Sequence, residues 1–111
     1  MFKIHRHQKP HPGQGRTVRF EGRDLGGPVS FFLVDAEPGR GSSLHMHPYS
    51  ETWIVRKGEA EFTVGGDKTR AYAGDIVVAV ANVPHRFENI GAERLELVCI
   101  HPCDTIMQQN L

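Results

Sequence analysis

Cysteine is scarce in this chain: Cys99 and Cys103 are the only two in 111 residues. A disulfide framework needs more of them, which removes the small cross-linked secreted folds from consideration. Long apolar runs are absent too. No stretch approaches the roughly 18 residues that a membrane helix requires, and Met1 to Pro12 is polar and basic, without the apolar centre of a signal peptide. The expected location is therefore the cytoplasm, with no membrane partner. Net charge is lacking as well, because 13 Lys/Arg balance 13 Asp/Glu. Without a basic field there is nothing to attract nucleic acid. Nor does any helical stripe persist beyond a couple of turns, so an α-helical fold is excluded.

The neutral total hides an asymmetry. Residues 1–23 carry six Lys/Arg and one Glu, or +5, while residues 24–111 carry seven and twelve, or −5. Pro10, Pro12, Gly13 and Gly15 punctuate the start of this basic stretch. We read residues 1–15 as a flexible basic arm and 16–111 as a single domain. His5, His7 and His11 lie in the arm and are poor ligand candidates, since nothing fixes their positions.

What the chain has in quantity is strand signal. Thr17-Val18-Arg19-Phe20 and Glu59-Ala60-Glu61-Phe62-Thr63-Val64 alternate polar with apolar. Val29 to Val34 and Ile76 to Val80 are continuous β-branched or aromatic runs, the pattern of strands covered on both faces. Turn signals separate them at Gly26-Gly27-Pro28, Pro38-Gly39, Lys57-Gly58, Gly65-Gly66-Asp67, Gly74-Asp75 and Asn89-Ile90-Gly91. About nine short strands in a chain of this size indicate an all-β sandwich or closed barrel. Pattern alone leaves an immunoglobulin-like sandwich and a jelly roll both open. Cys99, within the apolar run Leu95 to Ile100, is expected to be a small buried hydrophobe. The tail from Asp104 to Leu111 is expected to form one turn of helix or to pair with another subunit.

The histidines carry the chemistry. His45 and His47 would stand about 200° apart on a helix but project from one face of a strand. Glu51 shares their parity, provided that Pro48-Tyr49-Ser50 turns the chain. Two imidazoles and a carboxylate on one face form a common shell for borderline divalent metals. Met46 has the opposite parity and should pack away. A second segment, Gly74 to Asn89, runs through a strand, turns at Ala81-Asn82-Val83-Pro84 and presents His85.

Together the two segments resemble the paired motifs of the cupin superfamily. The first matches at Gly39, His45, His47, Glu51 and Gly58; the second matches at Gly74, His85 and Asn89. It departs at Val80, where the family usually has proline, and at Asn82, where it usually has glycine. Asn tolerates the left-handed backbone such a glycine adopts. The resemblance implies a double-stranded β-helix, or jelly-roll barrel. At one of its ends His45, His47, Glu51 and His85 would hold one divalent ion, Mn, Fe, Ni, Co, Cu or Zn.

Three histidines and a glutamate leave two positions open in an octahedral shell, enough for a substrate with or without dioxygen. No Ser/His/Asp arrangement is needed for that chemistry. The leading expectation is a metal-dependent, oxygenase-like enzyme acting on a small organic molecule. The alternatives are a non-enzymatic ligand-binding or sensor barrel, and an isomerase or epimerase of the same fold. Trp53, Val55, Phe62, Tyr72 and Phe87 are candidate pocket residues, and Tyr72 could also offer a proton. A homodimer is expected, because the outward Ile54 needs cover from another sheet or subunit.

Overall fold

The computed structural model describes residues 1–12 and 14–111. Among the described residues ten strands form two five-stranded antiparallel sheets. One sheet has the order β1 (Val18–Phe20), β2 (Ser30–Ala36), β9 (Leu95–His101), β4 (Glu51–Lys57) and β7 (Ile76–Ala79). The other has the order β10 (Gln109–Asn110), β3 (His45–Met46), β8 (His85–Asn89), β5 (Glu59–Val64) and β6 (Asp67–Tyr72). Apart from the consecutive pairs β1–β2 and β5–β6, sheet neighbours come from distant parts of the chain, as in a jelly-roll barrel. A single 3-10 turn, Gly22–Leu25, links β1 to β2.

The core lies where the two sheets face each other, and strand parity explains its membership. Trp53 and Val55 point inward from β4, as Leu95, Leu97 and Cys99 do from β9. Ala60 and Phe62 of β5 and Ala71 of β6 meet them from the opposite sheet. Trp53 packs against Phe62 with ring centroids 4.7 Å apart, an aromatic contact that adds to the area both rings bury. Cys99 is buried here, as its run of neighbours implies.

At two positions the backbone carries the fold. Asn82 adopts φ 62°, the left-handed turn expected of it, and its N–H donates to the His47 carbonyl at 2.8 Å. That bond ties the β7–β8 turn to the segment bearing His47. Gly58 has φ 83°, and a Cβ there would stand 2.7 Å from the Arg94 carbonyl oxygen. A side chain at this turn would collide with main chain.

Two expectations need correction. Neither continuous run is covered on both faces: Ile76, Val78 and Val80 are exposed, and so are Val29 and Leu33, because the outer face of the first sheet is open. The tail forms no helix. It runs back over its own barrel, where Gln109 and Asn110 pair with Met46 and His45 of β3. Residues 1–12 carry no helix or strand and are exposed.

Glu21 fastens the tail, since its carboxylate accepts the Ile106 N–H at 2.9 Å. That bond, with help from Arg19 and Arg23, lowers the Glu21 pKa below its ordinary 4.5. A depressed carboxylate stabilises the fold above its unfolded pKa and ceases to do so as pH falls through the folded one. The Ile106 amide resonance is therefore expected to titrate with a midpoint below 4.5 and to lose that titration in Glu21→Gln. A wild-type midpoint at or above the ordinary value would contradict the contact.

Candidate metal centre

Three strands bring the four ligand candidates to one end of the barrel. His45 lies on β3 directly opposite His85 on β8, and His47 follows β3. Glu51 opens β4, at the head of the inward file that continues through Trp53 and Val55. All four side chains are buried, and one ligand atom from each lies within 4.8 Å of the others.

The hydrogen bonds fix which atoms face the centre. Nδ1 of His45 meets the Ser43 carbonyl at 2.6 Å, that of His47 the Met107 carbonyl at 2.7 Å, and that of His85 the Val83 carbonyl at 3.0 Å. A carbonyl only accepts, so each Nδ1 carries the hydrogen and each neutral ring keeps its lone pair on Nε2. Nε2 of His47 and of His85 stand 2.9 and 3.1 Å from the same atom, Oε1 of Glu51. Two lone pairs beside a carboxylate oxygen repel unless positive charge sits among them. Protons on the rings supply that charge, or a metal ion does. Nε2 of His47 has no aligned hydrogen-bond partner among the described residues despite its closeness to Glu51. A converging set of imidazole nitrogens and one carboxylate oxygen fits a divalent ion of borderline softness.

The electrostatics agree with that donor set. Burial alone would raise the Glu51 carboxyl, but the polar nitrogens of His47 and His85 beside it outweigh that and hold the pKa at about 2. Burial lowers His45. It acts on His47 in the same direction, yet Glu51 and the Met107 carbonyl win and the pKa is raised. The site thus presents an ionised carboxylate across neutral pH.

A cavity of about 790 Å³ opens beside the cluster, with His45, Glu51, Trp53 and Phe87 in its wall. Phe32 and Val34 extend the apolar part of that wall, and Arg16, Arg40 and Arg94 also line it. Arg94 is held by Asp35 at 2.6 Å and Glu37 at 3.6 Å. The other pocket candidates lie elsewhere. Val55 and Phe62 are fully buried in the core and are not part of the cavity wall. Tyr72 is 51% exposed, because on β6 it has the parity opposite to the inward Ala71 and faces outward. It has no access to the cavity and is no proton source for it.

Sequence reasoning passed over two residues. His101 ends β9, is 1% exposed, and holds Nε2 3.6 Å from Oε2 of Glu51. Tyr49 lies in the turn before Glu51, with Oη 2.6 Å from Nδ1 of His101 and its ring stacked on His47. The signal for His101 was its parity with Leu95, Leu97 and Cys99, which directs it into the barrel.

Comparison with known proteins agrees with this architecture. The family described as Cupin domain matches residues 32–101. The chain is 27% identical to Bacillus subtilis oxalate decarboxylase, a protein whose Mn(II) centres have been studied, with a TM-score of 0.80 over 94% of this chain and 30% of that one. The Lactobacillus farciminis oxalate decarboxylase gives 26% identity and a TM-score of 0.78 over 93% and 33%. Among curated proteins it is 30% identical to mannose-1-phosphate guanylyltransferase 2 of Escherichia coli O157:H7, covering 84% of this chain and 20% of that protein. It is 33% identical to polyketide synthase CurC of Streptomyces cyaneus, covering 60% and 44%. The chain thus spans less than half the length of each.

If the four side chains hold an ion, loading will stabilise the fold. Mn(II) at a hundred times its Kd is expected to add about 2.7 kcal/mol, read as a rise in Tm. His85→Ala should abolish the rise. A wild-type Tm indifferent to Mn(II) would count against the centre.

Proposed function

The chain belongs to the cupin family, and from that premise we propose that it is a metal-dependent enzyme with oxygenase-like activity on a small organic molecule. The observation that carries the proposal is the contact between cluster and cavity: His45 and Glu51 belong to both. His45, His47, Glu51 and His85 would hold the ion. Bound there, a divalent metal supplies Lewis acidity and, where redox-active, a means of bringing dioxygen to a chelated substrate.

The chain's own residues define what enters. Trp53, Phe32 and Phe87 give an aromatic lining suited to a conjugated or aromatic ring. Arg16 and Arg40 in the lining suit an anionic or oxygen-rich substituent. A cavity of about 790 Å³ is the size that holds a molecule of tens of atoms, well beyond a six-heavy-atom dianion such as oxalate. The likeness to a polyketide synthase component points the same way, since alternating carbonyls chelate through two oxygens. The likeness to oxalate decarboxylases supports a second reading, non-oxidative cleavage of a small carboxylate.

Oxygen uptake separates these readings. With Fe(II), Mn(II), Ni(II) or Cu(II) loaded, a cyclic or aryl diketone or a catechol is expected to drive uptake that His47→Ala abolishes. Carbon dioxide release from oxalate without uptake would favour the second reading. Tight binding without turnover would leave a carrier or sensor.

We further propose that the enzyme is a homodimer. The outer face of the first sheet carries two rows across four strands, apolar at every position but Thr52. One is Leu33, Val98, Ile54 and Ile76; the other is Phe31, Ile100, Thr52 and Val78. Every one of these side chains is exposed or half-buried. A patch of this breadth is unusual on a monomer, and a second copy presents the same self-complementary surface. Light scattering is expected to give twice the chain mass at micromolar concentration, and Ile54→Lys to halve it. A wild-type monomer would remove the dimer.

A further inference from the structure

Beyond the ligands, one chain of hydrogen bonds links the C-terminal tail to the back of the metal site. The Met107 N–H donates to Tyr49 Oη at 3.2 Å. Oη has that donor on one side, so its own hydrogen is free to point at Nδ1 of His101, 2.6 Å away. Accepting there, Nδ1 is the unprotonated nitrogen of the neutral ring, and Nε2 bears the hydrogen. Nε2 points toward Oε2 of Glu51 from 3.6 Å and has no other partner among the described residues. A polar atom in a residue only 1% exposed rarely goes unpaired. A movement of roughly 0.5 Å would close the bond.

The two carboxylate oxygens of Glu51 therefore face different neighbours. Oε1 faces His47 and His85, while Oε2 faces His101. The same tail residue serves both sides, since the Met107 carbonyl accepts from Nδ1 of His47. The tail itself is held by the β10–β3 pairing, by Leu111 N–H on the Leu44 carbonyl and by Ile106 on Glu21.

We infer that Met107, Tyr49 and His101 form a positioning relay that keeps Glu51 turned with a single oxygen toward the metal, and that the C-terminal tail is an integral part of the metal site. The inference rests on the metal-site reading proposed above. Tyr49 and His101 are positioning residues here: they act through Glu51 and are not themselves ligands. Their value lies in restraint. A carboxylate free to offer both oxygens would fill a position that a chelating substrate needs, whereas one held at Oε2 leaves that position open.

Mn(II) binding to the full chain tests the relay, with chelator competition giving Kd and electron paramagnetic resonance giving the symmetry of the shell. His101→Leu removes the donor at similar volume and is expected to weaken Mn(II) by about ten- to a hundredfold and to change the spectrum. His101→Gln, which can still donate near Oε2, should restore much of both. Tyr49→Phe keeps the ring stacked on His47 and should weaken binding in the wild type. In the His101→Leu background it should change nothing, because the two residues act in series. A purely structural role would instead lower Tm and leave the spectrum alone. If the wild type binds Mn(II) while His101→Leu and Tyr49→Phe match its Kd and spectrum, the relay is overturned and the metal centre stands. If the wild type takes up neither Mn(II) nor any other first-row divalent ion, the centre falls and the relay with it.

Discussion

One buried carboxylate organises this molecule. Glu51 is 3% exposed at the end of a hydrophobic file, where an isolated negative charge would be expensive. It stays ionised because the imidazoles of His47, His85 and His101 surround it. Those imidazoles can neither rotate away nor exchange tautomers freely, since Nδ1 of each is engaged by a carbonyl or by Tyr49. The charge compensates the histidines, and the backbone orients them. Remove either and the end of the barrel becomes an assembly of unpaired polar groups.

The barrel supplies this geometry through parity. On β4 the inward file reads Glu51, Trp53, Val55, and on β9 it reads Leu95, Leu97, Cys99, His101. Both files are apolar in the middle of the barrel and turn polar at the same end, one step beyond the Thr52–Ile100 pair. The core and the site are thus successive stretches of the same strands. Trp53 belongs to both, packing on Phe62 on one side and lying edge-on to His85 at 5.1 Å on the other. A defect in the core at that ring would reach the ligands directly.

Much of this was legible in the chain before folding. Strict alternation with closely spaced turn residues identifies an all-β barrel, and the His-x-His-x-x-x-Glu spacing places three groups on one face. His85 was harder to read, because nothing local distinguishes a ligand from an ordinary strand histidine; its place depends on pairing with His45 across the sheet. Tyr72 was misread because its facing depends on the register of β5 with β6, which sets Ala71 inward. The role of the tail was invisible. Met107 acts through its main-chain N–H and carbonyl, and a backbone group leaves no trace in residue identity.

Metal stoichiometry by native mass spectrometry tests the central claim most directly. The protein is best measured as purified, before any chelator, and again after loading with each first-row divalent ion. The account predicts saturation at one ion per chain, lost together with the His85 side chain. A wild-type chain that retains no ion under any of these conditions would contradict it.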